Sequence, residues 1–300
     1  MKRMHVDELD IDIALVRRLV AAQFPEWAAL PLEPVPFFGT DNAIYRLGSD
    51  MSVRLPRREQ NVAPLRSELR WLPKLAPLVP LAVPVPVAVG EPADGYPFDW
   101  AIYQWVEGEP ATIEPLADLA QAASDLAELV TVLQRIDSDD GPPPRKSNFG
   151  RGAPLSRRDE QTRVAIAALR NEIDADAVTA EWEAALATPE WNRPPVWLHG
   201  DLDGRNMLVK DGRLFGVIDW GSVAVGDPAC DVMVVWKMLP PETRHTFREA
   251  LSIDDATWAR SRGWAVSQAV IALAYYTLET NAVIVHEARH WIAEVLADHA

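Results

Sequence analysis

The sequence contains little cysteine and no long apolar run. Cys230 is the single cysteine among 300 residues, so no disulfide can form within the chain, which favours a reducing, cytoplasmic location. The longest apolar runs, such as residues 83–89, contain prolines and fall far short of the ~20 residues of a membrane-spanning helix. Residues 1–8 turn acidic before an apolar core could build, unlike a secretory signal. We therefore expect a cytoplasmic protein with no membrane partner.

Cationic residues are scarce relative to anionic ones. Lys and Arg number 29 against 44 Asp and Glu, which gives a formal net charge of −15. Because nucleic acids are polyanions, we expect no nucleic-acid partner. The charge favours a cationic partner or substrate, although acidity that serves only solubility would leave the same composition.

Short apolar segments and turn residues characterise the first third of the chain. The pattern predicts a β-hairpin of Ala43–Leu47 and Ser52–Leu55 around Gly48-Ser49-Asp50. A helix over residues 61–75 and extended segments at 83–89 and 100–106 follow. This order of strand, strand, helix, strand, strand predicts a small sheet-rich lobe.

Beyond residue 106 the pattern becomes mainly helical. Apolar residues recur at helical spacing in six segments, 116–136, 157–173, 176–187, 229–238, 242–250 and 255–298. Residues 195–220 interrupt these helices with strands. We therefore expect an α+β fold with a lobe of residues 1–105 and a larger, mainly helical lobe of residues 106–300. A cleft between two lobes is the usual place for a ligand.

The chemistry concentrates in residues 196–220. Asp211-Gly212 is a dipeptide that two-residue type I′ hairpin turns prefer, and such a hairpin would bring Asp219 back towards Asn206. An amide oxygen and a carboxylate suit Mg²⁺ with its nucleotide phosphates. Asp201 lies in the preceding loop, where its carboxylate could align a hydroxyl and accept the proton, as phosphoryl transfer requires.

Three motifs resemble the signature of the aminoglycoside phosphotransferase family, relatives of the protein kinases. These are His199-Gly200-Asp201-Leu202 with Asn206, Ile218-Asp219-Trp220, and Gly226-Asp227-Pro228-Ala229-Cys230-Asp231. The resemblance implies a protein-kinase-like two-lobed fold. It also implies that Asp201 is the catalytic base, that Asn206 and Asp219 bind Mg²⁺, and that His199 holds the loop.

The first lobe resembles the same family more weakly. Residues 37–45, which include Thr40 and Asn42, correspond to the family's nucleotide loop, whose backbone amides approach phosphates. Arg54 stands where kinases have a phosphate-binding lysine, and a guanidinium can bind phosphate in a bidentate way. Glu68 would be the partner ion of Arg54.

The segment between the lobes resembles the kinase hinge. Gln104-Trp105-Val106 occupies the place where main-chain groups bind adenine, so the resemblance implies a nucleotide contact there without choosing between ATP and GTP. Backbone recognition leaves the side chains free to vary.

Three further polar residues of the motifs have open roles. Arg205 could contact the transferred phosphoryl group, or it could form a salt bridge with Asp203 or Asp219. Asp227 precedes Pro228, which predicts a helix N-cap with proline at the first helical position. Asp231 could brace the catalytic loop or could be a plain exposed carboxylate.

The resemblance implies transfer of the γ-phosphoryl group of ATP or GTP to a hydroxyl of a small molecule, with Mg²⁺ as cofactor. An aminoglycoside-type antibiotic is the expected acceptor, while relatives accept macrolides, choline, homoserine or sugar-like metabolites. A nucleotide-binding regulator without catalysis is the alternative. The acceptor site is expected in the second lobe, within 157–187 and near five C-terminal residues, Trp264, Gln268, Tyr275, Glu279 and Asn281.

One motif points to a different class of enzyme. His286-Glu287-Ala288-Arg289-His290 matches the zinc-protease pattern of two histidines one helical turn apart with a glutamate between them. A third ligand at the usual spacing is missing, because His299 and Glu294 are both misplaced for it. A helix at the end of the second lobe explains the pattern more simply.

Overall fold

The computed structural model describes residues 7–35 and 41–298. The chain divides into two compact units, one of residues 1–108 and 216–221 and the other of residues 109–215 and 222–300. The boundary expected from the sequence, between residues 105 and 106, stays a prediction.

The first unit is built on a five-stranded antiparallel sheet in the order β1-β2-β3-β5-β4. Two helices accompany it, α1 (Ile13–Gln23) and α2 (Val62–Leu75). The strands are β1 (Leu32–Pro34), β2 (Asn42–Leu47), β3 (Met51–Pro56), β4 (Pro86–Gly90) and β5 (Trp100–Gln104). The structure thus contains the predicted order and adds β1 at the edge.

The β2–β3 hairpin confirms the turn predicted from residues 48–50. Ile44 pairs with Arg54 and Leu47 with Met51, and Gly48 has a φ of 65°, a conformation that glycine adopts without steric cost. This register places Arg54 in the middle of β3, next to β5.

The core of the first unit lies between α1 and the sheet. Val16 and Leu19 of α1 are fully buried together with Val53, Leu55 and Ile102 from the strands. At about 25 cal/mol per Å² of apolar surface, each such side chain stabilises the unit by about 2 kcal/mol. Asp12 caps α1 by accepting a hydrogen bond from the amide of Leu15 at 2.7 Å.

The second unit is mainly helical. Its helices are α3 (Leu119–Arg135), α4 (Asp159–Ala168), α5 (Ala175–Ala187), α6 (Ala229–Val232), α7 (Val234–Met238), α8 (Pro241–Ala250), α9 (Asp255–Tyr275) and α10 (Leu278–Ala297). The fully buried indoles of Trp182, Trp236, Trp264 and Trp291 pack within this unit. No helix of the described residues is both long and apolar enough to cross a membrane.

Two of the predicted helices are divided in the structure. Residues 229–238 form α6 and α7, and the prediction of one helix over residues 255–298 is wrong. Tyr276 and Thr277 have extended backbones, and Thr277 and Thr280 form a capping box that starts α10. Local capping therefore overrides a helical pattern that continues through the break.

Five short strands follow residue 108 along the chain. They are β6 (Glu109–Pro110), β7 (Val196–Leu198), β8 (Met207–Lys210), β9 (Arg213–Val217) and β10 (Ala224–Gly226). β6, β8 and β9 form one sheet in that order, and β7 pairs with β10. Asp211 and Gly212 connect β8 to β9 with φ values of 54° and 73°, which confirms the predicted turn. Strands beyond residue 220 were not predicted.

Candidate active site

The loop from His199 to Asn206 joins β7 to β8 in the second unit, and we call it the catalytic loop. Gly200 has a φ of 85°, and a Cβ there would lie 2.7 Å from the main-chain oxygen of Ser222. Only glycine fits both the conformation and the space. His199 is fully buried, and its Nδ1 accepts a hydrogen bond from the amide of Asp201 at 3.2 Å.

Asp231 of α6 braces the start of this loop. Its Oδ2 accepts a hydrogen bond from the amide of His199 at 2.7 Å, and its Oδ1 accepts one from the amide of Gly200 at 2.8 Å. Burial raises the pKa of Asp231, against the lowering effect of His199 and of the two amides. Of the two roles that the sequence left open for Asp231, the structure therefore shows support of the loop and not an exposed carboxylate.

Asp201 lies where the braced segment ends, and one of its oxygens has two donors. Arg151 Nη2 donates to Oδ1 at 3.0 Å and Gln268 Nε2 donates to the same atom at 2.9 Å. Burial acts to raise the pKa of Asp201, but Arg151, Lys237 and Arg205 lower it, and the pKa falls well below the usual range. Asp201 is therefore a carboxylate at neutral pH, with 21% of its side chain exposed.

Asn206 closes the catalytic loop and is oriented by Asp201. Its Nδ2 donates to the main-chain oxygen of Asp201 at 2.9 Å and lies 3.3 Å from Asp201 Oδ2. The amide nitrogen is thereby assigned to the loop, which leaves the amide oxygen as the atom able to bind a cation.

Asp219, the other expected metal ligand, belongs to the first unit. It has a φ of 63°, and its side chain is 46% exposed, with Oδ1 3.6 Å from Arg54 Nη2. Amide and carboxylate oxygens are the donors that Mg²⁺ prefers, so the donor types of Asn206 and Asp219 fit that ion. Among the residues that the structure describes, no three His, Cys, Asp or Glu side chains group as a metal site.

Arg54 and Glu68 form the ion pair expected in the first lobe. Arg54 Nη1 donates to both oxygens of Glu68, at 2.8 and 3.0 Å, and Glu68 is fully buried on α2. Burial alone would lower the pKa of Arg54, but Glu68, Tyr103 and Asp219 raise it overall. One arm of the guanidinium is thus fixed by Glu68, while the other points towards Asp219.

The other residues expected to contact the nucleotide have different surroundings in the structure. Thr40 lies outside the described residues. Asn42 begins β2 and is buried, and its Oδ1 has no hydrogen-bond partner among the residues that the structure describes. The main-chain amides of Gln104 and Trp105 donate to Val85 and Asp50 within the first unit, so two of the three expected hinge residues use their amides internally. Val106 follows directly.

Arg205 is bound to Asp203 within the catalytic loop. Its Nε donates to Asp203 Oδ1 at 3.2 Å and its Nη2 contacts Oδ2. Asp203 is fully buried, and the ammonium of the equally buried Lys237 lies 3.9 Å away. Burial lowers the pKa of Lys237 to about 8. The structure therefore shows the salt bridge between Arg205 and Asp203, which was one of the alternatives that the sequence left open for Arg205.

Asp227 has two roles at the start of α6. Its Oδ1 accepts a hydrogen bond from the amide of Ala229 at 3.0 Å, but the helix begins at Ala229, so the prediction that Pro228 is its first residue is wrong by one position. Both carboxylate oxygens also bind Arg260 of α9, at 2.7 and 3.1 Å. This buried pair joins the third motif to α9.

Sequence reasoning missed Arg151 and Lys237. Arg151 lies in an irregular segment outside every motif, and Lys237 looks like an ordinary helix residue, so neither carries a local signal. Gln268 was expected near the acceptor from its position only, and the structure shows its contact with Asp201.

The remaining residues expected near the acceptor lie on α9 and α10. Trp264 is fully buried, Tyr275 and Glu279 are exposed, and Asn281 has non-helical backbone angles inside α10. The histidines of the zinc-like motif, His286 and His290, are exposed on α10, and His299 lies outside the described residues.

Solved structures similar to this chain are themselves phosphotransferases. The GDP complex of wild-type aminoglycoside 2′-phosphotransferase-IIIa is 19% identical, with a TM-score of 0.73 over 97% of this chain and 100% of that chain. The gentamicin complex of APH(2″)-IIa is 17% identical, with a TM-score of 0.64 over 96% and 99%. The apoenzyme of macrolide 2′-phosphotransferase MphH from Brachybacterium faecium is 24% identical, with a TM-score of 0.61 over 95% and 97%.

These similarities establish the fold, and a family profile goes further. The chain has the predicted protein-kinase-like fold, with a small β-rich N-terminal part and a mainly helical C-terminal part. No curated protein sequence matches the chain. The profile of the phosphotransferase enzyme family (APH) matches residues 34–264. Because this match covers most of its length, the chain belongs to the phosphotransferase enzyme family.

Proposed function

We propose that this phosphotransferase moves the γ-phosphoryl group of ATP or GTP to a hydroxyl group of a small molecule. The observation that carries the proposal is the catalytic loop, in which Asp231 fixes the main chain and Asp201 remains a partly exposed carboxylate. A carboxylate held in this way can align an acceptor hydroxyl and take its proton.

Asp201 acts as the base in the proposed reaction. The hydroxyl oxygen of the acceptor bonds to the γ-phosphorus, the bond from that phosphorus to the leaving diphosphate breaks, and the hydroxyl proton passes to Asp201. The depressed pKa of Asp201 keeps it unprotonated before the reaction. Its role is mainly to position the hydroxyl, because a group of low pKa is a weak base.

The proposal also assigns residues to the nucleotide and its metal ion. Asn206 and Asp219 would bind Mg²⁺, which supplies charge neutralisation for the phosphates when bound. Arg54, fixed by Glu68 through Nη1, would bind a phosphate through Nη2, the arm that points towards Asp219. Thr40, Asn42 and the hinge residues Gln104, Trp105 and Val106 are proposed nucleotide contacts.

The proposed role of Arg205 differs from the phosphoryl contact that the sequence suggested. Its bonds to Asp203 support a role in shaping the catalytic loop. Contact with the transferred phosphoryl group would be limited to the part of the guanidinium that Asp203 leaves free.

The proposed acceptor is an aminoglycoside-type antibiotic, since the net charge of −15 favours a cationic molecule. The similar structures with a bound aminoglycoside support this choice, and the macrolide enzymes keep a second antibiotic class in view. A chain with one cysteine that consumes ATP or GTP is suited to the cytoplasm, which we propose as its location.

Release of ADP or GDP in the presence of candidate acceptors tests the proposal. We expect one acceptor among aminoglycosides, macrolides and small metabolic alcohols to stimulate release from the wild-type chain with Mg²⁺. Asp201→Asn should lower turnover by at least about 100-fold while nucleotide affinity stays unchanged. Asp211→Asn, in the exposed β8–β9 turn, is the matched control and should retain full turnover.

Two outcomes would contradict the proposal. Unchanged turnover of Asp201→Asn would remove Asp201 from the reaction. Nucleotide binding without stimulation by any acceptor would favour the regulator that binds nucleotide but does not catalyse.

A further inference from the structure

Gln268 places a polar amide beside Asp201 and uses only part of it. Nε2 donates to Asp201 Oδ1 at 2.9 Å, whereas Oε1 is buried and has no hydrogen-bond partner within residues 7–35 and 41–298. A buried polar atom without a partner lowers stability relative to an apolar replacement. The side-chain amide of Gln268 therefore carries an energetic cost while it holds Asp201.

Arg151 shows the same pattern from a different segment. Nη2 donates to Asp201 Oδ1 at 3.0 Å, while Nε and Nη1 are buried and no described residue accepts a hydrogen bond from them. The residue is 7% exposed, so a charged guanidinium is taken out of water for one ion pair. A half-buried arginine, Arg158, lies close enough for Arg151 to lower its pKa, although desolvation lowers it more.

Two other buried polar residues of α9, Arg260 and Ser261, form hydrogen bonds away from Asp201, whereas Arg262 resembles Arg151 in having buried nitrogens without a hydrogen-bond partner among the described residues. Arg260 donates to both oxygens of Asp227 and to the carbonyl of Pro189. Ser261 accepts from Trp236 and donates to Trp258. These contacts stabilise the fold, as buried polar groups usually must.

We infer that Arg151 and Gln268 are positioning residues that jointly hold Oδ1 of Asp201 and so leave Oδ2 to receive the proton of the acceptor hydroxyl. Within the part of the chain that the structure describes, the hydrogen-bond contact of Oδ2 is the one with Asn206 Nδ2 at 3.3 Å. Two donors from separate segments fix the rotation of the carboxylate as well as its place. This inference rests on the proposed function, and it assigns a role to two residues outside the motifs.

The inference predicts that activity and stability respond in opposite directions. Gln268→Met removes the donor and the unpartnered oxygen while keeping the length of the side chain. We expect kcat with the best acceptor to fall about tenfold, because misplaced reacting groups lose rate steeply. The KM for nucleotide should be unchanged and the melting temperature unchanged or higher. Ser261→Ala is the matched control and should lower the melting temperature with kcat unchanged.

Arg151 adds a test by conservative rescue. Arg151→Met should lower kcat about tenfold or more, and Arg151→Lys should recover part of that loss because it restores a cationic donor. The double variant with Gln268→Met should lose less than the product of the single losses, since both residues act on one oxygen. Unchanged kcat in either single variant, or a multiplicative double variant, would overturn the inference.

The same variants separate this inference from the proposed function. If the wild-type protein binds nucleotide but neither phosphorylates an acceptor nor hydrolyses the nucleotide, the proposed function fails. The positioning role is then decided by melting and by crystal structures of Gln268→Met. A rotated Asp201 with no loss of melting temperature supports it, whereas an unrotated Asp201 or a lower melting temperature overturns it.

Discussion

The carboxylate of Asp231 accepts a hydrogen bond from the main-chain amide of Gly200 at 2.8 Å. The second oxygen of Asp231 accepts the amide of His199 at 2.7 Å. One side chain on α6 thus satisfies two successive buried amides directly after the end of β7, where Gly200 has a positive φ. The motif that ends at Asp231 therefore supports the motif that begins at His199 through direct hydrogen bonds.

This relationship predicts the effect of Asp231→Ala. Loss of both acceptors leaves two buried amides without partners, which should lower the free energy of unfolding by about 2–4 kcal/mol. Turnover should fall as well, because the loop that carries Asp201 loses its support. Urea denaturation and ADP or GDP release measure the two effects. A variant with wild-type stability would show that water or another group replaces the brace.

The glycine of the third motif should also resist substitution. A Cβ at Gly226 would lie 2.3 Å from the main-chain oxygen of Gly152 and 2.8 Å from its carbon atoms. Because the obstacle is backbone, we expect Gly226→Ala to cost about 3 kcal/mol of stability. Gly204→Ala, whose Cβ would meet the side chain of Thr112 at 3.2 Å, should cost less. Chemical denaturation of both variants makes the comparison, and equal losses would contradict it.

Lys237 should make the stability of the protein depend on pH in the alkaline range. Burial lowers its pKa in the folded state from 10.5 to about 8, so the unfolded chain binds more protons between these values. The contribution of Lys237 to the free energy of unfolding should therefore rise by about 2 kcal/mol as the pH increases from 8 to 10.5. In Lys237→Met that rise should be missing. Parallel curves for variant and wild type would contradict the assignment.

Asp254 should contribute stability that is lost in acid. Its Oδ1 accepts the amide of Thr257 at 2.7 Å at the start of α9, and hydrogen bonds from Thr257 lower its pKa. Stability from this group is present above the pKa of an unfolded aspartate, about 4, and disappears as the pH falls through the lower folded value. Asp254→Ala should cost about 1 kcal/mol at pH 7 and progressively less in acid.

Asp254→Asn provides the control for that prediction. Asparagine is also a good N-cap, so this variant should stay near wild-type stability at pH 7 and lose the acid dependence of the group. Thermal unfolding across the pH range compares the three proteins. An alanine variant whose deficit is constant with pH would contradict the role of the ionised carboxylate.

Local chemistry made much of the fold predictable. The β2–β3 hairpin and the β8–β9 turn follow from short dipeptide and alternation patterns, because the residues that determine a turn are the residues in it. Helix α2 was predicted over 61–75 and is found at Val62–Leu75. The motifs likewise identify Asp201, Asn206 and Asp231, because residue type and spacing are properties of the sequence itself.

What the sequence could not determine was which distant residues meet. Arg151 and Gln268 reach Asp201 across 50 and 67 positions, and Arg260 reaches Asp227 across 33. Such contacts depend on how α9 packs against the loops, and no local pattern encodes that packing. The sequence by itself determined the family and supplied Asp201 as the proposed base, because the residues for both lie in contiguous motifs. Only the tertiary structure decided which oxygen of that base is held and by which residues, because buried donors find their acceptors through packing.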